Sequence, residues 1–313
     1  MSGPEPGLEG DSMDTAGGDR VGFVGLGTMG TPMVTNVVRA GYAVVVHDAD
    51  PDRTARIAAE LAEVPGGGPA TAATDPGDLA GCDVVVTMLP TSAIVRSVLL
   101  DGTELRLPLR PGAVVVDMSS SDPTETVETG QVLARHGVAL VDAPVSGAKE
   151  RAAEGTLAIM LGADDDAAAE RAVPVVETMS RSIYRTGKLG TGHAMKALNN
   201  FVAGAAFTAT AEALTAGARF GLDPQVMIDV LNDSTGQTFS SSVVFGPHIV
   251  EGRYATGFAL PLLTKDVRIA QTLQQAVGHH APVADAVSAA LGEALEALGD
   301  VDHTEAFRYW EKQ

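Results

Sequence analysis

The run Val21-Gly22-Phe23-Val24 passes directly into Gly25-Leu26-Gly27-Thr28-Met29-Gly30, and a helical pattern of Met33, Val34, Val37 and Val38 follows. A G-x-G-x-x-G turn set between a strand and a helix leaves few folds open. Gly25 permits the tight turn, Gly27 lets an anionic group approach the backbone, and Gly30 lets the helix pack close to the sheet. The helix N-terminus then faces negative charge. This is the first βα turn of a doubly wound, dinucleotide-binding sheet. After the next apolar run, Tyr42-Ala43-Val44-Val45-Val46, stands Asp48. Its carboxylate is placed to accept hydrogen bonds from the hydroxyls of an adenosine ribose. A loop built only for packing, with Asp48 as a surface acid, competes with this reading, and the strand–turn–helix context disfavours it. Asp48 favours NAD, because a 2′-phosphate would meet a carboxylate; Arg53 nearby keeps NADP open. His47 reads as a partly exposed strand-end residue.

The alternation continues through Val84-Val85-Val86, Ala113-Val114-Val115-Val116 and Ala139-Leu140-Val141, with helical segments between. Short apolar runs without polar alternation fit parallel strands covered on both faces. Leu157 to Leu161 and Ile183-Tyr184 read as late strands. Beyond Gly187 the pattern turns helical. Residues 193–219 are Ala-rich and free of Pro, with a stop at Gly221 and a new start at Pro224, and turns are expected near Gly236, Pro247, Gly257 and Gly278. The expected architecture is a Rossmann-type domain over 20–187, then an all-helical domain over 188–313 joined by a long helix. Residues 1–19, polar, acidic and Gly/Pro-rich, read as a disordered tail.

Forty acidic residues against 21 basic ones give a net charge of −19. That balance argues against a nucleic-acid or anionic-membrane partner. The single cysteine, Cys82, excludes an internal disulfide and reads as structural. The histidines, including His279-His280 and His303, show no ligand spacing, so no metal is expected. No uninterrupted apolar run reaches the ~18 residues of a bilayer span. The 193–219 stretch, interrupted by His193, Lys196, Asn199, Asn200, Glu212 and Arg219, reads as a mostly buried core helix. No secretory signal is evident, and the expected location is the cytoplasm.

Six motifs resemble the β-hydroxyacid dehydrogenase family, which contains 3-hydroxyisobutyrate dehydrogenase and tartronate semialdehyde reductase. They are F-V-G-L-G-T-M-G-T-P-M at 23–33, M-L-P-T-S at 88–92, D-M-S-S-S-D-P at 117–123, and D-A-P-V-S-G-A at 142–148 with G-T-L-A-I-M at 155–160. The last two are Gly192, Lys196 and Asn200 at G-x-x-x-K-x-x-x-N spacing, and the pair Lys265-Asp266. Order and spacing cover the chain from residue 20 onward.

The resemblance implies hydride transfer between NAD(P) and a small 3-hydroxy acid or its semialdehyde. Lys196 and Asn200, four apart on one helix face, read by themselves as a polar patch; the resemblance makes Lys196 the general acid/base, with Asn200 orienting substrate or lysine. Ser146, Gly147 and Ala148 read as a capped turn or, through exposed N–H groups and the Ser146 hydroxyl, as the seat of a substrate carboxylate. The family commonly has Gly where this chain has Ala148, and the added methyl narrows the pocket. Lys149 and Arg151 read as solvent-facing. Gly25, Leu26, Gly27, Thr28, Met29, Gly30 and Asp48 form the expected cofactor site with Leu89, Pro90, Ser120 and Lys265. Lys265 competes with a plain surface lysine. Ile94 replaces a common family Asn, removing one cofactor hydrogen bond. Phe239 and Phe258 are candidates for lining the substrate pocket, with core packing the favoured reading for each. The expected partners are a small anionic substrate and a second copy of the chain, as homodimer or homotetramer. An imine reductase on the same fold and a non-catalytic dinucleotide-binding module are the alternatives; the retained Lys196 argues against both.

Overall fold

The computed structural model describes residues 18–313, so the expected disordered tail lies outside the described residues apart from Gly18 and Asp19. The first part comprises β1 (Val21–Val24), α1 (Gly30–Arg39), β2 (Val44–His47), α2 (Pro51–Ala62), β3 (Ala70–Ala72), β4 (Val84–Thr87) and α3 (Ser92–Leu99). A small hairpin of β5 (Leu100–Asp101) and β6 (Glu104–Leu105) follows, then β7 (Val114–Asp117), α4 (Pro123–Arg135), β8 (Ala139–Asp142) and β9 (Val145–Ser146). It closes with α5 (Ala148–Glu154), β10 (Leu157–Ala163), α6 (Asp166–Glu177) and β11 (Ser180–Gly187). The rest is helical: α7 (Thr191–Phe220), α8 (Pro224–Asn232), a π-helical stretch over Ser240–Val250, α9 (Leu260–Ala276), α10 (Pro282–Leu298) and α11 (Glu305–Glu311).

The main sheet runs β3-β2-β1-β4-β7-β8-β10-β11, with β9 paired to β10. From β3 to β8 all pairs are parallel. The uniform apolar runs follow from burial on both faces. Val84, Val86, Val114 and Val116 enter one core with α1 and α6, while Val85 and Val115 enter the other with α3 and α4. Each fully buried valine contributes roughly 1.5–3 kcal/mol. β10 is antiparallel to β8 and parallel to β11, so the last strands depart from the parallel pattern. Aspartates open several helices: Asp50 accepts the N–H groups of Asp52 and Arg53, Asp122 those of Thr124 and Glu125, and Asp223 those of Gln225 and Val226.

The long helix α7 spans 30 residues and stops at Gly221, which takes the left-handed conformation expected of a C-terminal stop. Its inner face, with Ala197, Gly204, Phe207, Ala211 and Leu214, is buried against α9, α10 and β10. Its outer face leaves Met195 and Val202 exposed, so the expectation of a mostly buried helix holds for one face only. By length and composition alone α7 is long and apolar enough to cross a bilayer. Two further corrections concern the segment after α8. Pro247 marks no turn, because the π-helix runs through it. Phe239, expected in the core, is 70% exposed, whereas Phe258 packs on the helical core. Cys82 is fully buried, and burial pushes its thiol up to about 11.

Candidate active site

Parallel register aligns five strand ends at one edge of the sheet: His47 beside Val24, Val24 beside Thr87, Thr87 beside Asp117, and Asp117 beside Asp142. The loops that follow therefore emerge side by side. The order reverses between β1 and β4, since the chain runs outward to β2 and β3 and then returns past β1. That reversal opens a crevice at the C-terminal edge, where doubly wound sheets bind ligands. The Gly25–Gly30 turn and the loops holding Leu89, Pro90 and Ser120 all border it.

The glycines earn their places by contact. A Cβ on Gly25, whose φ is +99°, would strike the Met88 carbonyl, and one on Gly30 would strike the Gly25 carbonyl. A Cβ on Gly27 would meet nothing within 4 Å, so its face is open. Among the described residues, no hydrogen bond engages the backbone N–H of Gly27 or Thr28. Open backbone with free donors before α1 fits a pyrophosphate. Leu26 turns its side chain into the core and gives its N–H to Asp48 at 2.8 Å, which leaves neither for a ligand. Thr28 is exposed and Met29 half-buried. Asp48 also accepts the Asp50 N–H at 3.0 Å and pairs with Arg53 at 3.3 Å. Partial burial opposes its charge, but the two N–H bonds and Arg53 outweigh that and hold the carboxyl below its ordinary range. His47 is half-buried, with an unpartnered Nδ1.

The N-terminus of α7 lies against the same edge. A Cβ on Gly192 would collide with the Met160 carbonyl and come within 2.8 Å of Asp142 Oδ2, which explains the glycine that opens G-x-x-x-K-x-x-x-N. The residue before α7, Gly190, offers no side-chain cap. Asp142, the last residue of β8, supplies it from the sheet: Oδ1 accepts the Gly190 N–H at 2.7 Å and Oδ2 the His193 N–H at 2.8 Å. Burial raises the Asp142 carboxyl despite these bonds and the nearby His193.

One turn on stands Lys196. It is half-buried, and the protein packed around its amine governs its charge. Desolvation lowers the amine below the ordinary lysine range; the Asp266 carboxylate opposes the shift and Lys265 reinforces it. Asn200 sits on the same face and donates from Nδ2 to Asp266 Oδ2 at 2.6 Å, while its Oδ1 accepts from Asn199 at 3.1 Å. Asn200 is thus held by Asp266 and keeps one N–H for another acceptor. Lys265 Nζ lies 3.2 Å from Asp266 and donates to the carbonyls of Ser120 at 2.5 Å and Pro90 at 3.3 Å. It therefore reaches from α9 to two crevice loops and is no surface lysine.

Ser146 ends β9, and its hydroxyl has no partner among the described residues. Gly147 has φ +145° and Ala148 φ +57°, the latter a conformation that favours glycine. Lys149 and Arg151 are exposed, as expected. Ile94 is 39% exposed on α3.

Sequence reasoning passed over Asp142, His193, Ser119 and the buried Asp266 as site residues. Ser119 Oγ accepts the Leu89 N–H at 2.9 Å, tying two crevice loops together. A cavity of about 700 Å³ lies elsewhere, among the C-terminal half of α7, α8 and α11, lined by Leu214, Arg219, Tyr254 and Glu311. None of the crevice residues border it, so its size does not make it the catalytic site.

Comparison with known proteins adds an independent line. Residues 20–187 match the profile of the NAD binding domain of 6-phosphogluconate dehydrogenase. Residues 190–310 match that of the NAD-binding region of NADP-dependent 3-hydroxyisobutyrate dehydrogenase. The chain is 33% identical to 2-(hydroxymethyl)glutarate dehydrogenase of Eubacterium barkeri, over 94% of this chain and 95% of that one. It is 34% identical to the NAD-dependent L-serine dehydrogenase of Pseudomonas aeruginosa, over 84% and 88%. The structure of Mycobacterium tuberculosis 3-hydroxyisobutyrate dehydrogenase with L-serine superposes with a TM-score of 0.82, at 30% identity, covering 93% of this chain and 99% of that one.

Proposed function

The chain belongs to the β-hydroxyacid dehydrogenase family, and on that premise we propose that it moves hydride between NAD(P) and a small 3-hydroxy acid, with Lys196 as general acid/base. The observation that carries the reading is the Lys196 amine, lowered by desolvation and placed one turn from the sheet edge that borders the dinucleotide crevice. The crevice fits the cofactor: Gly27 presents open backbone, and Asp48 presents a charged acceptor at the end of β2. When bound, the nicotinamide ring accepts or supplies the hydride.

The protein's own residues handle the proton and the geometry. In oxidation the free Lys196 amine takes the hydroxyl proton as hydride leaves the carbinol carbon; in reduction its ammonium returns that proton to the forming alkoxide. Asn200, fixed by Asp266, offers its remaining N–H to the substrate. Ser146, Gly147 and Ala148 receive the substrate carboxylate, supported by the unpartnered Ser146 hydroxyl. Gly25, Gly27, Thr28, Met29, Gly30, Leu89, Pro90 and Ser120 line the cofactor, and Lys265 holds the carbonyls of the last two.

The finer partner expectations belong to the same proposal. Exposed apolar side chains at Val202, Phe220, Val226, Val230, Phe239 and Val243 support a homodimer or homotetramer, which light scattering after size exclusion measures. The net charge of −19 supports the expectation of no nucleic-acid or anionic-membrane partner. The cytoplasm is the proposed location, tested by cell fractionation.

The deciding assay follows absorbance of the reduced cofactor with a panel of 3-hydroxy acids, NAD and NADP side by side. Turnover that disappears in Lys196→Ala while NAD still binds is the expected result. NAD binding without turnover across a broad panel would replace this reading with a dinucleotide-binding module.

A further inference from the structure

The loop after β7 is gripped by the helical part of the chain at two consecutive carbonyls. Lys265 of α9 holds the carbonyl of Ser120. His193, in the first turn of α7 and with its side chain fully buried, holds the carbonyl of Ser119 through Nε2 at 3.1 Å. A carbonyl only accepts, so Nε2 carries the proton. The other ring nitrogen, Nδ1, lies 2.9 Å from the Thr126 hydroxyl of α4. Two buried carboxylates face the ring: Asp117 Oδ2 at 3.7 Å from Nε2 and Asp142 Oδ2 at 3.8 Å from Nδ1. Both are already bonded. Asp142 accepts backbone N–H groups of the α7 start, and Asp117 accepts the hydroxyls of Thr87 and Ser121 and the N–H of Ser119. Neither carboxylate needs the imidazole as its hydrogen-bond donor, which leaves the ring to join α7 to the loop.

We propose that His193 is a positioning residue for hydride transfer: its ring locks the helix bearing Lys196 to the loop after β7, which borders the cofactor crevice. The proposal rests on the acid/base role of Lys196 given above. His193 precedes Lys196 by three residues, less than one helical turn, so the ring fixes the helix where the amine leaves it. On the other side, Ser119 carries the connection to Leu89 through its hydroxyl. A chain of hydrogen bonds therefore runs from the catalytic helix to both crevice loops. A misplacement of about 1 Å between reacting groups costs on the order of 100-fold in rate, so this lock acts on turnover more than on binding.

The test compares His193→Leu, of similar bulk but without ring nitrogens, with His193→Gln, whose amide N–H reaches toward the Ser119 carbonyl. For His193→Leu we expect kcat to fall at least about tenfold, with the NAD dissociation constant and substrate KM within about twofold, and a larger primary deuterium isotope effect on kcat. His193→Gln recovers most of kcat. Unchanged kcat in His193→Leu, or equal loss of kcat and melting temperature in both variants, overturns the proposal. Hydrogen exchange of the 119–121 and 191–196 amides tests the lock without turnover. Faster exchange confined to those segments in His193→Leu supports it, and unchanged exchange there refutes it. If the wild-type protein turns over none of the panel, the acid/base reading fails, and the exchange result still decides the lock.

Discussion

Replacing Lys196 with Met should make this protein slower and more stable at once. Met keeps the length of the side chain and removes the amine. Among the described residues that amine has no hydrogen-bond partner, and burial disfavours its charge. Burial of its charge costs stability and attraction to Asp266 offsets part of that cost, so a gain on the order of 1 kcal/mol is expected. At roughly 2–4 °C per kcal/mol for a chain of this size, thermal scans resolve it. The sign follows from proton linkage. The folded protein holds the Lys196 proton less tightly than the unfolded chain, so the wild-type penalty is complete below the lowered folded pKa. It fades as pH rises toward the ordinary lysine value of about 10.4. The advantage of the Met variant should therefore be greatest at low pH and vanish in alkali. Turnover should fall by about 10²–10⁴, the share expected of general acid/base catalysis. In the wild type, kcat/KM for oxidation rises with pH to a plateau through a pKa below 10.4, and for reduction it falls through the same value. A Lys196→Met variant that turns over within threefold of wild type, or that melts well below it at neutral pH, would refute the reasoning.

Three further outcomes are expected. Gly192→Ala forces a methyl against the Met160 carbonyl and Asp142; it should cost about 1–3 kcal/mol in urea denaturation and lower kcat while leaving NAD binding intact. Asp48→Ala should raise the NAD dissociation constant by roughly tenfold or more while weakening NADP less, because the carboxylate and Arg53 act in opposite senses on a 2′-phosphate; competitive titration of the two cofactors reads the ratio. Asp48, Asp83 and Asp302 all have carboxyls lowered on folding: burial acts against the shift in each, and hydrogen bonds and nearby cations overcome it. Their stabilisation is complete above the unfolded value near 4 and is lost as pH falls through the lowered values, so melting temperature should drop in acid and Asp302→Asn should flatten that drop.

The strand runs and the glycine turn were legible because local chemistry decides them. Val84-Val85-Val86 needs apolar surroundings on both faces wherever it lies, and Gly25 and Gly30 are demanded by backbone contacts within one turn. Gly221 and Pro224 punctuate helices for equally local reasons. The antiparallel entry of β10 was not legible, because Leu157–Ala163 looks like any other buried strand and its direction is set by the chain before it. Spacing on one helix was enough to put Lys196 and Asn200 on a shared face, while the roles proposed for them came from the family resemblance and not from the spacing. The site was illegible where the partner is distant in sequence: Asp142 caps a helix that begins 49 residues later, and Asp266 meets Asn200 from another helix. Phe239 was misplaced because apolar character says only that a side chain avoids water, not which surface covers it.

The clamped start of α7 has a mechanical consequence. A helix fixed at His193 is a lever that rises about 1.5 Å per residue, so Phe220 lies about 40 Å along it and Lys196 about 4.5 Å. Bending the helix by about 5° at the clamp would carry the far tip roughly 3.5 Å and Lys196 about 0.4 Å. A displacement at the distal end of α7 is thus scaled down about ninefold by the time it reaches Lys196.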